Sequence, residues 1–128
     1  KKADNVELYN VKANSPFLPV DPATGLWIAD AIGTGFLRGS RRALEALWNS
    51  SEQYVEDTGK PGRMVFNVAV VGGRLWGEDT FMCEKLKRAG FKIHVDPRFT
   101  VTHIGMKRYQ GNFAAFVAKL QQQAKRVA

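Results

Sequence analysis

The sequence predicts an α/β or α+β protein, a mixed open sheet of four to six strands with about three helices. Short runs alternate apolar and polar residues, as half-buried strands do, and other stretches repeat apolar residues at helical spacing. The 128 residues, 45% of them hydrophobic and 24% charged, suit one globular domain with a substantial core. We therefore expect residues 1–128 to form a single domain.

The first part of the chain holds signals for two strands and one helix. Residues 6–11 alternate apolar and polar side chains, and residues 26–32 form a short apolar run. Proline and glycine cluster between these two segments, which predicts a loop over residues 14–25. Ser40 is a favourable N-cap residue, and apolar residues follow it at helical spacing, so we expect a helix over residues 41–48.

A loop and a hairpin are predicted next. Residues 51–62 are polar and contain two glycines and a proline, which indicates a mobile loop. Residues 63–71 are rich in strand formers and stop at Gly72-Gly73. Because Gly-Gly is a favourable two-residue connection, residues 74–76 are expected to pair back as a hairpin.

The remaining elements are two helices and two strands. Residues 78–89 carry an apolar stripe, acidic residues at the start and basic residues at the end, and Gly90 is a good residue to follow such a helix. Residues 91–95 and 99–104 alternate as strands do. Asn112 can cap a final helix that runs towards the C-terminus.

Basic residues are concentrated in the second half of the chain. The formal net charge is +7, yet residues 1–60 hold seven basic and eight acidic side chains, whereas residues 61–128 hold twelve and four. Such a basic half attracts phosphates, anionic lipids or nucleic acid. The charge distribution alone is equally consistent with a solvated positive face that only maintains solubility.

Composition excludes several classes of protein. A single cysteine cannot form an internal disulfide, and the cysteine count also excludes a zinc ribbon. The apolar runs are shorter than the roughly 20 residues that a membrane-spanning helix needs. No secretory signal pattern opens the chain, so a cytoplasmic location is expected. Because the chain starts at Lys1 and not at Met, we interpret it as a trimmed or processed piece.

The sequence Gly77-Glu78-Asp79 places two carboxylates where a loop enters a helix. Acidic residues in a first turn commonly satisfy free N–H groups and complement the helix dipole, which is a purely structural role. The alternative is that one carboxylate projects into a cleft as a base or as an acceptor for a substrate hydroxyl. Adjacent residues point about 100° apart on a helix, so at most one of the two caps it.

The two histidines differ in pattern. His94 lies between the apolar residues Ile93 and Val95, so we place it on the opposite, wet face of its strand. His103 continues an apolar row to the end of its strand. It is therefore either a half-buried structural histidine or a ligand for a metal or a phosphate, with Gly105 allowing close approach.

Other candidate motifs are weaker. The turn Gly33-Thr34-Gly35 does not match the dinucleotide-binding pattern, because the position of its third glycine holds Arg38. Cys83 has no paired base in the sequence and is expected to be buried. The basic C-terminal segment lacks the interleaved exposed aromatic residues of single-strand binders, so nucleic acid is an unlikely partner.

Taken in order, these signals resemble the C-terminal, acceptor-side half of GT-A-fold glycosyltransferases of the bacterial and phage type. The resemblance runs from about Tyr9 to Gly111. The segments that carry it are Ala31-Ile32-Gly33-Thr34-Gly35-Phe36, Arg41-Arg42, Gly77-Glu78-Asp79-Thr80-Phe81-Met82-Cys83, Ala89-Gly90-Phe91-Lys92-Ile93, Val95-Asp96-Pro97 and His103-Ile104-Gly105.

The resemblance implies transfer of a sugar from a nucleotide-sugar to an acceptor hydroxyl, on a glycan or another molecule. It implies that Asp79, with Glu78, forms the catalytic acidic pair and that His103 is a ligand to a divalent Mn²⁺ or Mg²⁺ ion. It also implies that the turn Gly33, Thr34 and Gly35 lines the sugar pocket, and that these residues with Trp76 and Gly77 bind substrate.

One departure from the family is large. The family's nucleotide-binding half carries an Asp-x-Asp metal motif, and no Asp-x-Asp occurs in these 128 residues. We therefore expect a partial GT-A-like fold that lacks the nucleotide-binding half and is inactive on its own. The alternative is a non-enzymatic basic module that binds a polyanion or self-associates through an exposed sheet edge.

Overall fold

The computed structural model describes residues 10–104 and 108–127, and the side chains of this range except residues 102–110 and 127. By their contacts, the residues form two compact units. The central unit is Asp30–Ile93, and the terminal unit combines the residues up to Ala29 with those from His94 onward. The mixed α/β class and the three helices of the described ranges confirm the expectation from the sequence, whereas the described strands do not form the expected single open sheet of four to six strands.

Each helix begins as its sequence predicts. Helix α1 is Arg41–Ser50, and the Ser40 side chain accepts a hydrogen bond from the Ala43 N–H at 3.2 Å. Helix α2 is Glu78–Arg88, with both acidic residues in its first turn. Helix α3 is Phe113–Val127, and the Asn112 side chain accepts from the Ala115 N–H at 2.9 Å. These side chains satisfy N–H groups that a helix start leaves without a partner.

The strands are short, and those described pair in twos. Three antiparallel hairpins have a defined register: β4 with β5, β6 with β7, and β9 with β10. The strands are β1 (Val11–Lys12), β2 (Trp27–Ala29), β3 (Ala31–Ile32), β4 (Gln53–Val55), β5 (Pro61–Arg63), β6 (Ala69–Val71), β7 (Arg74–Trp76), β8 (Ile93–Val95), β9 (Thr100–Ile104) and β10 (Arg108–Asn112).

Helix α2 forms the middle of the central unit's core. Met82 and Cys83 are fully buried, and Leu86 lies on the same side one turn later. They pack against Leu47 of α1 and Ala31 of β3. Cys83 therefore occupies the buried apolar position expected for it, and burial raises the pKa of its thiol.

The terminal unit is organised by aromatic packing and one buried carboxylate. Phe113 and Val117 of α3 are buried, and the Phe113 ring lies 5.8 Å from the Trp27 ring. Asp21 is buried in the loop before β2, where its carboxylate accepts the Ala23 N–H at 3.0 Å. The turn thereby satisfies its own backbone groups locally.

Two segments differ from the sequence prediction. The stretch predicted as a mobile loop over residues 51–62 contains strand β4 and the start of its partner β5. The single strand predicted over residues 63–71 is interrupted, because regular pairing stops at Arg63 and resumes at Ala69. The reason is the buried Lys85 described below, which takes the carbonyl groups that a longer strand would offer to a neighbour.

The apolar run over residues 26–32 is also divided, into β2 and β3 on either side of Asp30. The strand predicted over residues 6–11 falls almost entirely outside the described residues. In the described parts of the chain, no helix is long and apolar enough to cross a membrane.

Candidate functional site

Strand β3 and helix α2 are joined by contacts one helical turn apart. The Cys83 sulfur lies 3.5 Å from the Ile32 nitrogen and 3.8 Å from the Ile32 oxygen. Asp79 is four residues earlier in α2 and so lies on the same face of the helix. Thr34, two residues beyond Ile32, reaches Asp79 for this reason. The spacing of residues on the strand and on the helix thus brings the turn after β3 to the first turn of α2.

The Thr34 hydroxyl donates a hydrogen bond to Asp79 Oδ1 at 2.5 Å, and both residues are half-buried. Among the described residues, this is the one hydrogen bond that the Asp79 carboxylate makes. Its second oxygen, Oδ2, accepts no hydrogen bond from the described residues. Thr34 orients the carboxylate without saturating it, which is the arrangement a substrate-binding acid needs.

The other predicted residues of this site flank that pair. Glu78 is exposed beside Asp79, and Trp76 is half-buried at the end of β7. Gly77 caps α2 without a side chain, and a Cβ there, like one at Gly35, would meet no atom within 4 Å. Gly33 is half-buried directly before Thr34.

The predicted metal ligand His103 lies in β9, paired with Tyr109, and its side chain is outside the described residues. In the part of the chain that the structure describes, no group of three or more His, Cys, Asp or Glu residues could hold a metal ion.

His94 is not on a wet face, which corrects the sequence prediction. Its side chain is 25% exposed, and its Nε2 lies 2.8 Å from Oδ2 of the buried Asp21. The alternation of the strand placed His94 opposite Ile93, but a buried carboxylate covers that side as well. Sequence spacing cannot show this contact, because the two residues are 73 positions apart.

Lys85, which the sequence did not single out, is the most heavily bonded charged group of the central unit. It lies in the last turn of α2 and is only 9% exposed, which is unusual for a lysine. Burial lowers the pKa of its ammonium group. The ammonium nitrogen has four oxygen neighbours and one aromatic ring: Val65 O at 2.7 Å, Met64 O at 2.9 Å, Asn67 Oδ1 at 3.1 Å, Ser51 Oγ at 3.2 Å and the Phe81 ring centroid at 5.3 Å.

A signal for Lys85 was present in the sequence. Phe81 and Lys85 are four residues apart, so the lysine lies on the apolar side of α2 beside Leu86. A cleft of about 460 Å³ adjoins it, lined in part by Arg88 and Glu52. Among the described residues, no carboxylate forms a salt bridge with Lys85. Its charge is therefore balanced by dipoles, which makes it an architectural group more than a binding one.

Comparison with known proteins gives no independent assignment. No family model matches the chain, and no match is found among curated proteins or among solved structures.

Proposed function

We propose that this chain is the acceptor-side half of a glycosyltransferase, in which Asp79 binds and deprotonates the acceptor hydroxyl. The observation that carries the proposal is the hydrogen bond from Thr34 to Asp79. It joins two motifs that the resemblance assigns to one site, although they are 45 residues apart in the sequence. A carboxylate that only capped its helix would not need this partner from another element.

The proposed chemistry uses groups of this chain as follows. The acceptor hydroxyl donates its hydrogen bond to the second oxygen of Asp79, while Thr34 holds the first. The hydroxyl oxygen then forms a bond to the anomeric carbon of the sugar, its proton passes to the carboxylate, and the bond to the diphosphate breaks. Glu78, exposed next to Asp79, would accept a hydrogen bond from a further hydroxyl of the acceptor.

A divalent cation belongs to this proposal only through the resemblance. It would neutralise the charge of the leaving diphosphate. The nucleotide-binding half with its Asp-x-Asp motif has no counterpart in these residues. We accordingly expect that the purified 128-residue chain turns over no nucleotide-sugar, and turnover above background would contradict this part of the proposal.

Acceptor binding provides the direct test. A panel of simple methyl glycosides is screened against the chain by saturation-transfer NMR, which detects weak binding. We expect at least one glycoside to bind and Asp79→Asn to weaken that binding by about tenfold or more, because the charged acceptor of the hydroxyl is lost.

Asp57→Asn is the matched control, since Asp57 is an exposed aspartate of the same unit. It should leave glycoside binding unchanged. If no member of the panel binds, or if Asp79→Asn binds as well as the control, the carboxylate does not serve an acceptor.

A second candidate function is a basic binding module, favoured by helix α3. Lys119, Lys125 and Arg126 are exposed on α3, which contains no acidic residue. This reading expects heparin binding that falls steeply with salt and is unaffected by Asp79→Asn. The two functions are therefore distinguished by the same variant.

A further inference from the structure

Helix α1 carries two large apolar side chains that its own unit leaves exposed. Leu44 and Trp48 are 50% and 49% exposed, and because they are four residues apart they lie on one face of the helix. Ala43 and Leu47, the residues directly before each of them, pack in the core of the central unit. The exposed pair therefore extends the apolar side of α1 beyond the part that the core covers.

The segment that leads into α1 adds a third apolar side chain. A Cβ atom at Gly39 would lie 3.0 Å from the Leu44 Cδ2 atom, so the backbone before the helix runs against the Leu44 side chain. Phe36 is 82% exposed and lies three residues before Gly39, which places its Cα within about 11 Å of the Gly39 Cα. We call Phe36, Leu44 and Trp48 the α1 surface.

The same stretch of chain is rich in arginine. Three exposed arginines lie in it, namely Arg38, Arg41 and Arg42. Arg41 is three residues before Leu44 and is therefore its neighbour on the helix. Glu45, the one acidic residue in the sequence 36–48, forms an exposed ion pair with Arg41 at 2.8 Å, and a pair of this kind contributes little stability. With three arginines and one glutamate, residues 36–48 carry a net charge of +2.

Apolar side chains beside arginines complement the surface of a membrane that contains anionic lipid. Tryptophan, phenylalanine and leucine side chains enter the boundary between lipid headgroups and acyl chains, where tryptophan is enriched. Arginines nearby bind the negatively charged headgroups. Heparin, a polyanion without apolar surface, would also bind the arginines but would leave the three apolar side chains in water. The combination of positive charge and exposed apolar groups therefore favours a lipid surface as the partner.

The dimensions of α1 fit a position along the membrane surface. Its ten residues span about 15 Å, half the thickness of the hydrocarbon core, so the helix can lie on a membrane but not cross it. Ala43 and Leu47 can stay packed in the core of the central unit while Leu44 and Trp48 contact lipid. Binding through the α1 surface therefore requires no unfolding of the core.

We propose that the α1 surface binds membranes that contain anionic lipid, with the helix lying along the headgroup region. The proposal is independent of the glycosyltransferase proposal, since it uses neither Asp79 nor Thr34. Because only three apolar side chains and a few arginines contribute, binding should be reversible and should weaken as salt screens the charges.

Co-sedimentation with lipid vesicles tests the proposal. The wild-type chain should bind vesicles of phosphatidylcholine with about 30% phosphatidylglycerol at least about fivefold more tightly than vesicles of phosphatidylcholine alone. Phe36→Ser should weaken binding to the anionic vesicles by at least about fivefold, because the most exposed side chain of the α1 surface is lost. Since Phe36 is largely exposed, this variant should fold normally, which circular dichroism verifies.

Leu75→Ser is the matched control, because Leu75 is 74% exposed in the same unit and lies outside the α1 surface. It should change vesicle binding by less than about twofold. A wild-type chain that does not bind the anionic vesicles overturns the proposal. Equal binding by the two variants overturns it too, since binding would then not depend on the α1 surface. A chain that binds heparin but not the anionic vesicles would show that the positive charge serves a polyanion, and would likewise refute lipid binding.

Discussion

Asp79 and Lys85, two charged residues of α2, have opposite hydrogen-bonding environments. Asp79, in the first turn, is half-buried and receives one hydrogen bond, from Thr34. Lys85, less than two turns later, is buried and surrounded by four oxygen acceptors. An ammonium group has only three hydrogens to donate, so Lys85 has no capacity left. The carboxylate of Asp79 has most of its capacity left.

This difference suits the two charges of one helix to different roles, one structural and one proposed to bind a ligand. A saturated, buried charge positions the segments it binds and offers nothing to a ligand. A charged group that one partner orients, and that has hydrogen-bonding capacity left, can bind a ligand. We therefore assign the fixing of residues 64–67 to Lys85 and the candidate chemistry to Asp79.

The largest expected effect is on stability, from Lys85→Met. Methionine keeps an unbranched apolar side chain, one atom shorter than lysine, but leaves the oxygens of Met64 and Val65 without their donor. We expect the free energy of unfolding to fall by about 2–4 kcal/mol in urea denaturation. Lys87→Met, on the more exposed side of α2, is the control and should cost less than about 1 kcal/mol. Equal losses in the two variants would show that Lys85 is not the architectural group.

The pH dependence of the free energy of unfolding tests the burial of the Lys85 ammonium group. Burial lowers the pKa of Lys85 in the folded protein, so the unfolded chain binds the proton more tightly. Between the folded pKa and the ordinary value of 10.5, stability contributed by this group therefore rises with pH. Denaturation curves from neutral to alkaline pH should show this rise relative to Lys85→Met. A constant difference between the two proteins would contradict it.

The features that the sequence predicted correctly depend on residues close together in the chain. Ser40, Asn112 and Gly72-Gly73 act through neighbours within a few positions, so local rules placed their caps and hairpin correctly. The acidic pair was placed at the start of a helix for the same reason. These are all short-range features, and local sequence patterns are sufficient to predict them.

Long-range contacts were not available to the same reasoning. The pattern of residues 63–71 indicates one strand, yet Lys85 interrupts it from about 20 positions away. The pattern around His94 indicates a wet face, yet Asp21 covers it. The contact of Thr34 with Asp79 joins residues 45 positions apart, and the sequence pattern did not predict it. In each case the deciding partner is distant in sequence, where periodicity carries no information.

A smaller effect is expected from Thr34→Val. The substitution removes the hydroxyl that orients Asp79 while keeping the shape of the side chain. Unfolding should become easier by about 0.5–1.5 kcal/mol, the usual net value of one hydrogen bond. Glycoside affinity should fall further than this modest loss of stability explains, whereas Thr34→Ser should retain both. If Thr34→Val binds glycosides as the wild type does, Thr34 has no part in orienting the carboxylate.

The smallest effect is expected in the titration of Asp96. This half-buried carboxylate receives hydrogen bonds from the Arg98 side chain and backbone. The Arg98 guanidinium lowers the pKa of this carboxyl to about 2, against an ordinary 3.8. Carbon-detected NMR should find this midpoint, and Arg98→Gln should raise it towards 3.8. Because the folded pKa is the lower one, any stabilisation from the pair holds above about pH 4 and is lost as the pH falls through 2. An unchanged midpoint in Arg98→Gln would refute the pairing.

The proposed function depends most on the claim that Asp79 binds the acceptor. Amide NMR of the wild-type chain tests this claim, because it reports on each residue separately. Titration with a glycoside that binds should shift the signals of Thr34, Gly77 and Asp79 and leave those of Ser51 and Asn67, beside Lys85, in place. Shifts confined to the surroundings of Lys85, with none at Thr34 or Asp79, would reverse the roles of the two charges and contradict the proposed function.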